Sequence, residues 1–288
     1  MRVANRTIFS RIKYNLASLS DGLKQANEVV SSGKRVSDLS DDPVGMTQIL
    51  DIKSSLSDIE QLGRNLNTGK MWLSAGESAL TQVQNLISEA RALCVQMANP
   101  TTSASEREGG ALMIQNSLDE ILSLANAEVN GLYIFSGSRT TTAPFSLDGA
   151  YHGDHQAFSV KIGASANMAV GNDGEAVFAT AVTTMSGLRD ALQADDVNGI
   201  EAAMEFLDAD HEHITETISN IGAKALRCDI KEQIYDDLEI THTERLSNIQ
   251  DADLAEAVVE LEAKELAYQA ALSSAARVMT LSLVDYLS

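Results

Sequence analysis

Residues 254–288 read LAEAVVELEAKELAYQAALSSAARVMTLSLVDYLS. Stepping through them in alternating fours and threes gives Leu254, Val258, Leu261, Glu265, Tyr268, Leu272, Ala275, Met279, Ser282 and Tyr286. Most of these positions are apolar or aromatic, and their mean spacing is that of a coiled-coil seam. No Gly or Pro interrupts the run, so it predicts one helix, roughly 50 Å long at about 1.5 Å per residue. The run reaches the end of the chain, and the covering for its apolar stripe is expected from the other end. There, Phe9, Ile12, Leu16, Leu19, Leu23, Ala26 and Val30 repeat the same spacing. Charge points the same way. Residues 1–35 hold seven Lys/Arg against two Asp/Glu, whereas residues 229–265 hold three against twelve. The two ends are therefore expected to pair, leaving part of each stripe for other subunits; the plainer alternative is an intramolecular helix pair with no assembly role.

Composition narrows the class. With 44% hydrophobic residues, 5% aromatics and three prolines in 288 residues, long helices are favoured over an all-β sandwich. A formal charge of −20 opposes nucleic-acid binding, which depends on neutralising phosphates. Cys94 and Cys228 form no metal-like pair and no disulfide framework, and each reads as a small apolar helix residue. The opening residues contain neither an apolar signal segment nor a small-residue cleavage site, and no run has the apolar length that spans a bilayer. The expectation is a cytoplasmic protein, or one exported without a cleaved signal peptide, with no membrane insertion.

Helix boundaries are marked in the sequence. Gly33 follows the last seam residue of the first helix, where a left-handed residue costs least. Asp42 and Pro43 restart a helix as N-cap and first-turn residue. A long helix follows. One stretch of seam, Ile49 to Leu66, is separated by a slip from a second, Trp72 to Met97, and Gly63, Gly69 and Gly76 mark close helix approach or a kink. Another helix is expected from near Ser105, with Leu112, Leu118, Ile121, Leu122 and Ala125 as its apolar face, ending at Asn130-Gly131. Seven of the eighteen glycines then fall between Gly131 and Gly174. In that region 132–135, 157–162 and 176–178 read as short strands, and Asn130-Gly131, Asp148-Gly149 and Asn172-Asp173-Gly174 as turns. Helices resume near Thr183. The predicted fold is mainly α: a long coiled-coil-like bundle built by the N- and C-terminal segments, with a small β-rich inserted domain. The expected parts are 1–41 with 254–288 as a terminal assembly domain, 42–130 with 185–253 as a long-helix bundle, and 131–184 as the insertion.

Three motifs resemble the flagellin-like family of axial proteins. Ser31-Ser32-Gly33-Lys34-Arg35-Val36, with Ser40-Asp41-Asp42-Pro43 after it, is similar to the family's N-terminal signature, whose matched positions here are Gly33, Lys34, Arg35, Asp41, Asp42 and Pro43. Ile249-Gln250-Asp251-Ala252-Asp253-Leu254-Ala255-Glu256 resembles its C-terminal counterpart. Gly131-Leu132-Tyr133-Ile134-Phe135-Ser136-Gly137, with Ala143-Pro144-Phe145 downstream, resembles the hook-associated branch. Pro43-Val44-Gly45 stands where filament flagellins usually read Ala-Ala-Gly. The resemblance implies a structural protein of the bacterial flagellum joining hook to filament, without catalytic activity or cofactor. It implies export through the flagellar type III apparatus and an extracellular location. The implied partners are a hook-side hook-associated protein below, flagellin above, copies of itself, and an export chaperone at the C-terminal helix. The assembly interface is then expected on Phe9, Ile12, Leu16, Leu19, Leu23 and Val30 at one end and Leu254, Val258, Leu261, Tyr268, Leu272 and Met279 at the other.

Other chemistries are weaker. His211 and His213 are two residues apart and face differently on a helix, and His152-Gly153-Asp154-His155, in a turn, has no Cys or further His nearby in sequence, so no metal site is expected. No phosphate loop, nucleophile elbow or HExxH helix occurs. Lys34-Arg35 reads as meeting helix-end carbonyls or a neighbour's acidic groups, and Trp72 as a core residue. The competing readings are a filament flagellin and, from another class, a cytoplasmic coiled-coil scaffold.

Overall fold

The computed structural model describes residues 2–146 and 148–287, with side chains described for Thr7, residues 9–146 and residues 148–277. Among them the chain is mainly α with a small β part. The helices are α1 (Arg2–Ser32), α2 (Pro43–Met97) and α3 (Ala104–Ala125), then, after the β segments, α4 (Gly174–Gln193), α5 (Val197–Gln250) and α6 (Leu254–Leu287). Between α3 and α4 lie two antiparallel hairpins, β1 (Glu128–Val129) with β2 (Leu132–Tyr133), and β3 (Ser159–Lys161) with β4 (Asn167–Ala169). The chain forms two compact units: a terminal unit, Met1–Ser57 with Leu238–Ser288, and a central unit, Asp58–Asp237.

Local chemistry sets the boundaries. α1 ends where Gly33 turns to φ +70°, its amide still reaching Val29 O at 2.8 Å. Asp42 caps α2, its Oδ1 accepting the amides of Val44 and Gly45 at 3.1 and 2.9 Å. A Cβ on Gly45 would lie 2.5 Å from Asp42 Oδ2, so a larger residue there would force the capping carboxylate to shift. Ser103 and Glu106 close a reciprocal capping box at α3. Asn130 and Gly131 both have positive φ, the geometry of the two-residue turn that Asn-Gly favours.

Four expectations are corrected. α2 is one helix with no slip in its buried face: Ile52, Ile59, Leu66, Leu73, Leu80, Ile87 and Cys94 are buried at intervals of seven. The glycines near Leu73 hid this repeat, because Gly69 and Gly76 occupy inward positions beside it. Residues 176–178 are helix rather than strand. Asp173 is an N-cap, its Oδ1 accepting the amide of Glu175 at 3.0 Å, and Val177, Phe178, Ala181, Met185, Leu188 and Leu192 then form one buried helical face. α3 stops at Ala125, before the β1–β2 turn at Asn130-Gly131. Leu112 is 64% exposed, while Ala111, Ile114 and Leu118 take the inward positions of α3.

The central core draws on every element of its unit. α5 carries its own seven-residue ladder, Ile200, Leu207, Ile214, Ile221, Cys228 and Tyr235, facing the core with the α2 residues. Burying such Leu and Ile side chains stabilises by about 1.5–3 kcal/mol each. The β3–β4 hairpin is fastened to the long helices. Asn65 Nδ2 donates to Lys161 O at 2.9 Å, Tyr235 Oη donates to Ile162 O at 2.5 Å, and Trp72 stacks on Phe158 with centroids 4.5 Å apart. Gly69 is where this approach is tightest, since a Cβ there would meet Val160 and Val170 at 3.2 and 3.3 Å. Arg107, itself buried, donates to Met97 O and Asn99 O and pairs with Asp195 at 2.5 Å.

Both cysteines are free and fully buried, and burial pushes the Cys94 thiol up to about 11. Since the thiolate is the reactive form, neither thiol should react with a disulfide reagent at pH 8 in the native chain. Both should react at once in urea, as thiol titration under the two conditions will show.

Candidate functional site

The two signature motifs, more than two hundred residues apart in sequence, form one clasp in the terminal unit. α5 ends at Gln250 and leaves carbonyls without helical partners. The amides of Arg35 and Val36 donate to Gln250 O at 2.7 and 3.3 Å, and Arg35 Nη2 donates to Ile249 O at 2.8 Å. The return bond runs from Ala252 N to Gly33 O at 2.9 Å, and Lys34 and Asp251 form an antiparallel bridge. The N-terminal signature therefore caps the C-terminus of α5, with a cation at the negative end of the helix dipole. Val36, 1% exposed, and Gln250, 7% exposed, are the buried members of this contact. Gly33 supplies the left-handed backbone that points its carbonyl at Ala252.

Each flank of the clasp is stiffened locally. Asp41 Oδ2 accepts the amides of Ser37 and Asp38 at 3.1 and 3.0 Å, folding the connector between α1 and α2. Those two donors hold the Asp41 carboxyl below its ordinary value of 3.8. A carboxyl lowered on folding contributes stability that is fully present above its unfolded value and lost as pH falls through the folded one. Carboxyl NMR should therefore show Asp41 titrating below 3.8, and the amides of Ser37 and Asp38 losing protection across the same lower window. On the other side, Ser247 Oγ donates to Asp251 Oδ2 at 2.7 Å, and Asp253 caps α6 through Ala255 N at 2.9 Å.

From the clasp, α1 and α6 run antiparallel and pack together. A Cβ on Gly22 would lie 3.9 Å from the Lys264 side chain, whose methylene stem covers α1 at that level. The inward positions of α6 are Ala257, Leu261, Lys264, Tyr268, Ala271 and Ala275, buried or half-buried at four-three spacing. On α1, Ile12, Leu16, Leu19, Leu23 and Val30 are half-buried, and Ala26 is buried.

The residues singled out from the sequence thus divide. Leu261 and Tyr268 lie on the α1-facing side of α6. Leu254, Val258 and Leu272 are 54%, 42% and 44% exposed, and Phe9 on α1 is 53% exposed. The Met279 side chain lies outside the described residues. Of the signature residues, Gly33, Lys34 and Arg35 are in the clasp, while Asp41, Asp42 and Pro43 build the connector and the α2 cap. Sequence reasoning did not single out Val36 as the buried anchor, nor Ala257, Lys264 and Ala271 as inward positions. The four-three spacing of Ala257, Leu261, Lys264, Tyr268, Ala271 and Ala275 carried that second signal. It was masked by the larger side chains one position along.

No group of three or more His, Cys, Asp or Glu among the described residues is placed to hold a metal ion, and no described helix is long and apolar enough to cross a membrane. His213 Nε2 lies 2.9 Å from Ala176 O, and His155 Nδ1 lies 2.8 Å from Asp173 Oδ2.

Residues 4–140 match the family model for the bacterial flagellin N-terminal helical region. Flagellar hook-associated protein 3 of Escherichia coli (strain K12) is 33% identical over 182 residues, covering 62% of this chain and 57% of that protein. The chain thus spans little more than half the length of this curated relative. A flagellin of Listeria innocua serovar 6a is 22% identical over 278 residues, covering 95% of this chain and 94% of that protein. Among solved structures, Bacillus cereus FlgL superposes with a TM-score of 0.62 at 22% identity over 68% of this chain and 99% of its own. The hook-associated protein 3 of Legionella pneumophila gives 0.63 at 17% identity over 70% and 98%.

Proposed function

We propose that this chain, a member of the flagellin-like family, is a structural axial subunit of the bacterial flagellum at the junction of hook and filament. The observation that carries the reading is the clasp. It brings the two ends of the chain together as an antiparallel pair, fixes where both helices start, and leaves Phe9, Leu254, Val258 and Leu272 exposed. A helix pair with apolar residues on its outer faces is suited to burial by neighbouring subunits. Neighbours are a hook-side hook-associated protein below, flagellin above and further copies alongside. The chain reaches its extracellular site by flagellar export, with a chaperone holding the C-terminal helix on the way. The role is mechanical and asks for no catalysis.

Immunogold labelling of isolated flagella with an antibody to residues 131–173 tests the reading. A single band where hook meets filament is expected. Label along the whole filament would make the chain a filament flagellin instead. Flagella without label, with the chain recovered only from cytosol, would overturn an axial role.

A further inference from the structure

In the central unit, α4 and the first part of α5 flank a trough of about 860 Å³. Its walls are mostly small: Ala179, Thr183 and Gly187 come from α4, and Gly199 and Ala203 from α5. Nothing lies within 4 Å of where a Cβ on Gly187 would stand, so this stretch of wall is open. Among the described residues no Lys or Arg lines the trough, but Asp190, Asp196 and Asp210 do. Asp210 stands apart from the other two. It is 4% exposed, and its buried Oδ2 has no hydrogen-bond partner. A buried carboxylate oxygen without a donor is costly, and a donor entering the trough would remove that cost. The fitting occupant is therefore an apolar helix face that carries a cation.

The same unit presents such a face elsewhere. Leu226, Ile230 and Ile234 of α5 are 61%, 51% and 42% exposed and four residues apart, so they form one ridge. Arg227 lies beside it, one turn before Ile230. No other exposed run of three large apolar residues at this spacing occurs among the described residues of the central unit. The other exposed apolar pair, Leu112 and Met113, has no third large apolar residue at this spacing, and its charged neighbour one turn away is Glu108.

We infer that the trough receives the Leu226–Ile230–Ile234 ridge of a second copy of this chain, with Arg227 of that copy donating to Asp210. The inference rests on the axial reading above and names one surface for contact between copies. Trough and ridge are different surfaces of one unit, so the contact is heterologous and propagates head to tail. The mode is that of a helix laid in a groove, where spaced apolar anchors give affinity and the buried charge pair fixes register.

Cysteine cross-linking tests it, with Thr183→Cys in the trough and Ile230→Cys on the ridge of the full chain. Native Cys94 and Cys228 are fully buried and stay in place. Oxidation is carried out both on isolated flagella and on concentrated purified chain. The doubly substituted chain should give a ladder in at least one preparation, and a mixture of the two single variants a dimer only. Adding Arg227→Glu should lower the yield about tenfold or more, as should Asp210→Asn, since either removes the charge pair. The exposed site of Arg227 keeps this result readable even if Asp210→Asn folds poorly. Chain present in flagella but no cross-link in either preparation would overturn the contact and leave the axial reading standing. A cross-link in purified chain with no chain in flagella would retain the contact and overturn the axial reading. An unchanged yield with Arg227→Glu would also overturn the inference.

Discussion

Replacing Val36 with Asp is expected to open the terminal unit while the central unit stays folded. Val36 is 1% exposed and sits where the chain leaves α1, its amide bonded to the end of α5. A carboxylate forced into that position would be buried, where Val36 packs as an apolar side chain, and the adjacent Arg35 guanidinium already donates to Ile249 O. Leaving a buried charge uncompensated costs about 3–5 kcal/mol, enough to separate the two motifs rather than merely loosen them. Hydrogen exchange would show it. Amides of Arg35, Val36 and Ala252 should lose about a hundredfold or more in protection, a factor of ten for every ~1.4 kcal/mol. Amides of Leu73, Leu80 and Ile87 should keep theirs. Unchanged protection at Ala252 would mean that the clasp does not depend on this anchor.

The second large effect concerns the exposed stripe. The double substitution Leu261→Asp with Leu272→Asp should abolish assembly without unfolding the central unit, whose core contains neither residue. The single variants separate two causes. Leu261 is half-buried against α1, so its Asp variant should weaken the helix pair by about 0.75–1.5 kcal/mol, half the value of a fully buried leucine. Leu272 is 44% exposed, so its Asp variant should leave the free chain as stable as the parent and still fail to assemble. Thermal unfolding of the purified variants, set beside motility and the presence of each chain in isolated flagella, checks both halves. Normal motility with Leu272→Asp incorporated would remove Leu272 from the assembly surface.

Much of the helical framework was legible because its signals are local. The glycine stop at Gly33 and the Asp42-Pro43 start each depend on residues within one turn of the boundary. The start of α4 was not legible, because Asn172-Asp173-Gly174 is equally good chemistry for a turn and for an N-cap. What decides between them is the buried face that follows, where Phe178 packs edge-on to Phe135 with centroids 4.8 Å apart. The seven-residue ladder of α2 was obscured for a different reason. A helix that buries two adjacent rows offers two ways to draw a seam, and choosing the one through Trp72 created an apparent slip. On α6 the same ambiguity is sharper. Large residues such as Leu254 and Leu272 attract a hydrophobic-pattern reading, yet half of the positions turned towards α1 are alanines. Only a partner decides which of two apolar rows faces inward. The clasp lay beyond sequence reasoning altogether. Nothing in Ser31–Val36 states that its amides complete a helix ending at Gln250, although each motif could be recognised separately.

The smallness of the residues buried between α1 and α6 has a kinetic consequence. Among the described residues, Ala26, Ala257 and Ala275 are the buried apolar members of that pair, and several of its larger apolar residues are exposed. A free subunit therefore gains little from its own terminal helices. Two free subunits meeting in solution can cover only one face of each other, and the entropy of ordering the contact offsets most of that gain. In the axial reading, a subunit arriving at the end of an existing assembly would be covered on several faces in one step. Growth on a template would then be fast and spontaneous initiation slow. Such a chain could accumulate and travel without polymerising, with the structure already present at the growing tip deciding where it joins.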